Sequence, residues 1–231
     1  MAEPVFLITG ASRGIGAATA RLAAAEGYRL VLLGRSPEPL REVAEETGGL
    51  PIACDVTDWD ALSAAVRRVE DELGRLDVVF ANAGQSVVTS FLGEAGEEPG
   101  RWRDMVLANV YGPALTARAT LPVLRRFGGH LVLTGSASGR GVRPGSLYSA
   151  TKWAVTGLAQ AIRAECVDAG VRVTLVQPGL VDTEAIPADR AADPKLDPAD
   201  VGRAVLYAVG QPSHVDVNEI LVRPVGQGPY R

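Results

Sequence analysis

Short apolar runs alternate along this chain with longer stretches whose apolar positions recur every three or four residues. The runs are VFLITG, YRLVLLG, LPIAC, LDVVFANAG, GHLVLTGSAS, VRVTLVQPG and EILVRP. They are nearly continuous in Val, Ile and Leu. A strand wetted on one face would alternate, so these predict strands covered on both faces, as in a parallel sheet. Between them the helical period takes over. In TDWDALSAAVRRVEDELG, Leu62, Ala65, Val66, Val69 and Leu73 fall on one stripe. Thr57 or Asp58 caps its start and Gly74 ends it. Residues about 98 to 127 read as one long helix interrupted by Pro113 and Pro122, and about 146 to 169 as another. Strand–helix alternation throughout predicts an α/β fold: one doubly wound domain over 1–231, with about seven parallel strands and helices on both faces. The polar, proline-rich stretch Pro187 to Pro198 is short, so it reads as a loop rather than a domain boundary.

Composition narrows the possibilities. At 231 residues, 47% apolar and 22% charged, the chain can bury a large core without disulfides or metals. Its formal net charge is −4 and it has no basic tract, which argues against a nucleic-acid or anionic-membrane partner. No apolar run approaches the ~18 residues of a spanning helix. The two cysteines, Cys54 and Cys166, have no ligand-like spacing, and His130 and His214 lie too far apart for a zinc motif. Free thiols in a reducing compartment, no metal site and a cytoplasmic location are expected.

VFLITGASRGIGAATARLAAAEG runs strand, glycine-rich turn, helix. Gly10, Gly14 and Gly16 let the backbone turn sharply and approach a pyrophosphate, which the positive end of the following helix attracts. The placement, directly after the first strand, predicts a dinucleotide site of Rossmann type. An NAD enzyme usually carries an acidic residue about 20 residues on, for the ribose 2′-OH. Here the second strand ends in Gly34 and Arg35, and no carboxylate comes before Glu38. With Ser12 and Arg13 in the turn, two guanidiniums and a hydroxyl suit a 2′-phosphate, so NADP is favoured over NAD.

The chain has only two lysines, Lys152 and Lys195. Lys152 stands four residues after Tyr148 in LYSATKW, on one face of a helix. A phenol with a pKa near ~10 is a poor base at neutral pH, and a fixed cation beside it favours the phenolate. Twelve residues before Tyr148 lies Ser136, where a strand ends; Ser138 is its rival.

In these motifs the chain resembles the short-chain dehydrogenase/reductase family over almost its whole length. TGASRGIG, including Ile15, is similar to the family's cofactor turn, and CDVTD, with Asp55 and Val56, to its adenine-contact segment. ANAG resembles the Asn-Asn-Ala-Gly motif, giving Asn82, Ala83 and Gly84, with Ala81 in place of the first Asn. Asn109, Ser136, Tyr148 and Lys152 fall where the family keeps its catalytic tetrad. QPGLVDT resembles its nicotinamide-side segment, giving Pro178, Gly179 and Thr183; Tyr148 and Lys152 also face the cofactor. The Ser136–Tyr148 segment is one residue shorter than common, but Ser136 with Gly139 fits the family's Ser-x-x-Gly pattern.

The resemblance implies an NADP-dependent oxidoreductase that moves a hydride between NADPH and a small carbonyl (ketone, aldehyde or keto acid), or runs the reverse alcohol oxidation. Alternatives are an idle NADP-sensing module, or an isomerase or dehydratase on the same fold. Substrate is expected to be read by loops Gln85 to Phe91, Gly139 to Leu147 and a short loop about 183–198. Arg140, Arg143 and Arg190 are either carboxylate receivers or surface charges. The tail is similar to the NADP-dependent 3-hydroxy acid (serine-type) dehydrogenase branch. In the family, the backbone carbonyl at this asparagine holds a water that links the lysine to solvent; Pro113, which cannot donate to it, either frees that carbonyl or makes a packing kink. A homodimer or homotetramer is expected, with Trp153 on an outer helix face or in the core.

Overall fold

The structure, a computed structural model, describes residues 3–93, 96–184, 186 and 190–228. Seven strands form it: β1 (Val5–Thr9), β2 (Arg29–Gly34), β3 (Leu50–Ala53), β4 (Val78–Ala81), β5 (His130–Thr134), β6 (Arg172–Pro178) and β7 (Glu219–Val222). All pair in parallel in the order β3-β2-β1-β4-β5-β6-β7. The order reverses direction between β1 and β4. At such a point two chain segments leave neighbouring strands in opposite directions and open a crevice beyond the strand carboxyl ends.

Helices cover both faces: α1 (Gly14–Ala25), α2 (Pro37–Thr47) and α7 (Pro198–Val209) on one side; α3 (Trp59–Leu73), α5 (Gly112–Phe127) and α6 (Leu147–Cys166) on the other. Successive strand residues point to opposite faces. Leu7, Leu33, Leu131 and Leu175 therefore pack under α3, α5 and α6, while Phe6, Ile8, Leu32 and Val176 pack under α1, α2 and α7. Both faces are dry, which is why the strands read as unbroken apolar runs. Small residues bring α1 against α7: a Cβ on Gly202 would lie 2.9 Å from a Leu22 methyl.

Local signals translate with small shifts. Asp58, not Thr57, caps α3, its Oδ1 accepting from the Asp60 and Ala61 amides at 3.0 Å, and Gly74 ends the helix with φ 71°. The long helix expected over 98–127 is three pieces: α4 (Pro99–Val106), a π turn (Leu107–Tyr111) and α5. The Gly112 amide donates to the carbonyl of Leu107, five residues back. Pro113 follows at once. It has no N–H, so the α-helical ladder cannot run through it and restarts one turn later. Pro122, by contrast, sits inside α5.

At the opposite end of the sheet from the crevice, His130 is fully buried, its Nε2 2.7 Å from the hydroxyl of Thr174, which donates to the Val217 carbonyl. Nδ1 has no hydrogen-bond partner among the described residues. Burial, and then the Arg172 guanidinium, push this imidazole down to about 3. A folded value below the unfolded one means the stabilisation is complete above about 6.5 and is lost as pH falls toward about 3. Between pH 7.5 and pH 5, this one group should remove about 2 kcal/mol of unfolding free energy. Urea titrations of wild type and His130→Gln at both pH values test this. A loss equal in the two proteins would rule His130 out as the acid-sensitive group.

Candidate active site

The crevice is built first by the turn after β1. Gly10 and Gly14 have φ of 64° and 53°, the left-handed region that glycine enters freely. A Cβ on Gly10 would lie 2.9 Å from the Ala83 Cα, and one on Gly16 only 2.2 Å from the Gly10 carbonyl oxygen. Gly10 thus lets the turn pass against the ANAG loop, and Gly16 lets the first turn of α1 close behind it. No side chain caps α1 and no acid stands in its first turn, so its positive end is available to an anion. The residues present fit a dinucleotide pyrophosphate.

Thr9 stitches the loops together. Its hydroxyl accepts from the Asn82 and Ala83 amides, both at 3.0 Å, and donates to the Phe80 carbonyl. Asn82 donates through Nδ2 to the carbonyls of Thr9 and Gly10, and its Oδ1 accepts from the Thr134 hydroxyl at 3.2 Å. Ala81 ends β4, buried and paired with Leu133.

On the side of the crevice toward β2, Arg13 and Arg35 are both exposed, and the Ser12 hydroxyl would lie 3.6 Å from a Cβ on Gly34. Arg13 is ion-paired with Glu184 at 2.5 Å. Both side chains are solvated, so the pair is weak and a competing anion can exchange into it. Asp55 holds the turn into α3, accepting from the Thr57 amide and hydroxyl, while Val56 is buried and packs beside Gly112. On the far side, Pro178 is buried, the Gly179 amide donates to the Val222 carbonyl at 2.7 Å, and the Thr183 methyl faces Gly14. The crevice therefore has walls from the loops after β1, β4 and β6.

α6 supplies Tyr148 and Lys152, one turn apart. Lys152 is buried, donates to the Thr134 carbonyl at 2.8 Å, and has its Nζ 5.7 Å from the centre of the Tyr148 ring. Burial pushes its ammonium down to about 8. Tyr148 differs from expectation. Its pKa is raised, not lowered: burial dominates, and the nearby Ser136 hydroxyl only partly counters it. The physical reason is the withdrawal of the phenol from water, which disfavours the phenolate.

The two serines are held differently. Ser136 starts the 3-10 turn Ala137–Gly139, its hydroxyl accepting from the Ser138 amide at 3.1 Å. Ser138 thus contributes its backbone and Ser136 its side chain. Gly139 explains the Ser-x-x-Gly spacing: a Cβ there would lie 2.7 Å from the Lys152 carbonyl oxygen. Only glycine lets this turn lie on the α6 backbone, which brings Ser136 to Tyr148.

Asn109 is buried in the π turn. Its side chain accepts from the Gln85 amide and donates to the Gln85 carbonyl, both at 2.8 Å, and donates to the Thr151 hydroxyl at 3.1 Å. Thr151 in turn donates to the Tyr148 carbonyl. Gly84 must be small because a Cβ there would lie 2.9 Å from Asn109 Oδ1.

Residues 4–193 match the short chain dehydrogenase family. The chain belongs to the short-chain dehydrogenase/reductase family of oxidoreductases. An uncharacterized oxidoreductase of Staphylococcus aureus strain MW2 is 39% identical, over 97% of this chain and 99% of its own length. Among solved structures, an alcohol dehydrogenase from the archaeon Thermococcus sibiricus, complexed with 5-hydroxy-NADP, superposes with a TM-score of 0.88 at 31% identity, over 99% of this chain and 100% of that one. A metagenomic short-chain oxidoreductase in complex with NADP gives 0.83 at 33% identity, over 98% and 99%.

Within this short-chain dehydrogenase frame, two of the three arginines on the loops after β5 and β6 already have partners. Arg140 donates to Gln177 and pairs with Glu219; Arg190 pairs with Asp193 at 2.8 Å. Arg143 is half-buried in the loop before α6. The loop expected over 183–198 is closed at its neck, where Asp182 and Leu196 are joined by the Asp182 amide and the Leu196 amide reaches Leu180. Residues 185 and 187–189 of that loop lie outside the described residues. Trp153 is 46% exposed, so it faces outward rather than into the core. Gln227 had no signal in the sequence: its Oε1 accepts from the Leu180 amide at 3.0 Å and lies against Gly179. Among the described residues there is no cluster of His, Cys, Asp and Glu able to hold a metal, and no helix long and apolar enough to cross a membrane.

Proposed function

We propose that this protein is an NADP-dependent oxidoreductase acting on a small carbonyl compound (ketone, aldehyde or keto acid), or on the corresponding alcohol in reverse. The observation that carries this reading is the convergence of Ser136, Tyr148, Lys152 and Asn109 beside a glycine-lined crevice. The nicotinamide, when bound, supplies or accepts the hydride. Gly10, Gly14, Ile15 and Gly16 would hold the pyrophosphate, Asp55 and Val56 the adenine, and Asn82 to Gly84, Pro178, Gly179 and Thr183 the nicotinamide side. In reduction, Tyr148 gives its proton to the oxygen of the nascent alkoxide, and in oxidation it takes the alcohol proton. Ser136 donates a hydrogen bond to that oxygen. Lys152 holds ribose hydroxyls. Asn109 fixes the loop at Gln85 against α6. Pro113 leaves the Asn109 carbonyl without its α-helical donor, so that carbonyl can hold a water on the proton path.

Preference for NADP rests on Ser12, Arg13 and Arg35 around the carboxyl end of β2, where no carboxylate stands. Arg13→Ala and Arg35→Ala are each expected to weaken NADPH binding by about 10-fold or more and to leave NADH nearly untouched, because a guanidinium–phosphate contact is charge-assisted. Equal losses for both cofactors would remove the 2′-phosphate assignment. The substrate class is tested by NADPH consumption with small ketones, aldehydes and keto acids, and in reverse by NADP with 3-hydroxy acids including serine, as the tail resemblance suggests. Exposed Leu107, Tyr111 and Trp153 on the helices of one face suit a homodimer or homotetramer.

A further inference from the structure

The loop after β4 leaves the cofactor motif at Gly84 and returns at Glu97, whose amide donates to the Val88 carbonyl at 2.9 Å and closes a neck. Thr89 stands beside that neck. Its hydroxyl donates to the Gly145 carbonyl at 2.5 Å and accepts from the Leu147 amide at 2.9 Å. Leu147 is the first residue of α6, and its amide has no partner within the helix. The residue after it is Tyr148. Ser146, the cap of α6, already spends its hydroxyl on the Ser149 amide. Without Thr89, the Leu147 amide would have neither partner. Gly145 has φ 70°, and a Cβ there would lie 3.2 Å from the Thr89 carbonyl, so the two loops run in direct contact.

We infer that Thr89 is a positioning residue, joining the loop after β4 to the start of α6 so that two separate loops form one wall of the substrate crevice and Tyr148 is fixed against it. This rests on the oxidoreductase reading above. Asn109 anchors the same loop at Gln85, one side of the neck, and Thr151 on α6. Thr89 supplies the second anchor, further along the same loop. Two anchors fix an orientation where one leaves a hinge. Thr89 makes no hydrogen bond to the glycine turn, so its loss should act on the reacting end and spare cofactor binding. Val88 and Val142, 56% and 72% exposed, flank the joined loops, which gives this wall an apolar rim suited to the carbon body of a carbonyl substrate.

The test compares wild type, Thr89→Val and Thr89→Ser in steady-state kinetics, NADPH binding and amide hydrogen exchange. Valine keeps the shape and removes the hydroxyl; serine restores it. With Val, kcat for the best carbonyl should fall about 10- to 100-fold, because displacements near 1 Å cost that much, while NADPH affinity changes less than about 2-fold. Exchange should accelerate together in residues 86–90 and 145–149. With Ser, kcat should return to within about 3-fold of wild type. Unchanged kcat and exchange in Thr89→Val would overturn the inference. So would acceleration in only one of the two loops, or a parallel loss of NADPH affinity and of exchange protection throughout the sheet, which would mark general destabilisation. A wild type that reduces no carbonyl would count against the oxidoreductase reading alone; the exchange pattern would still decide whether Thr89 joins the loops.

Discussion

Tyr148→Phe should abolish turnover, lowering kcat by about 100- to 10,000-fold while NADPH still binds. The substitution removes one oxygen and keeps the ring, so packing on α6 is preserved. On the proposed function, what disappears is the group that moves a proton at the substrate oxygen. Ser136 remains to stabilise charge there, which limits the loss. The direction of the Tyr148 pKa adds a pH signature. Burial raises it, so the phenol stays protonated through neutral pH and favours reduction, whereas alcohol oxidation, which needs the phenolate, should accelerate toward alkaline pH. Rates in both directions across pH 6 to 10 check this. A variant that keeps near-normal turnover would mean that another group carries the proton and would return weight to an idle or non-redox role.

Lys152→Arg should also lose about 100-fold in kcat although it keeps the positive charge. Lys152 is buried and its Nζ reaches one carbonyl at 2.8 Å, in a space shared with the Tyr148 ring. A planar guanidinium is wider and cannot rotate a single donor from that carbonyl toward ribose hydroxyls. Titration gives a second measure. With the ammonium lowered to about 8, its contribution is complete below that pH and declines as pH rises through it. Carbonyl reduction by wild type should therefore fall above about pH 8, and in Lys152→Arg that limb should vanish along with most of the rate. Near-normal turnover in the arginine variant would show that charge alone suffices at this position.

The Thr134 carbonyl links these expectations. It holds Lys152, while the Thr134 hydroxyl holds Asn82, and Asn82 holds the glycine turn. One short path of hydrogen bonds thus runs from Lys152 to the glycine turn. Thr134 is the last residue of β5, at the rim where the crevice opens.

How much of this was legible in the chain depends on the range of the interaction. The seven strands were visible because two dry faces demand unbroken apolar runs. The glycine turn was visible because a left-handed φ and a closely approached backbone exclude side chains within a few residues. Tyr148 and Lys152 were visible because four residues make one helical turn. Gly74 ended its helix for an equally local reason. By contrast, the π turn around Asn109 was hidden, since Pro113 marks a break in the ladder without saying how the preceding residues will rewind. The packing of Gly139 on α6 behind the Ser-x-x-Gly spacing was hidden too, and the raised pKa of Tyr148 needed its burial. Thr89 meets Gly145 across 56 residues and Arg13 meets Glu184 across 171. Neither pair leaves a periodicity in the sequence, because a hydroxyl or a carboxylate on a loop obeys no local pattern until the sheet order has brought its loop to a neighbour. The sequence by itself determined the layered α/β fold, the glycine turn and the spacing of Tyr148 and Lys152, all consequences of local backbone geometry. Only the tertiary structure decided which loops share a wall, which arginines are already engaged and where the lysine points, because those follow from burial and from contacts between distant segments.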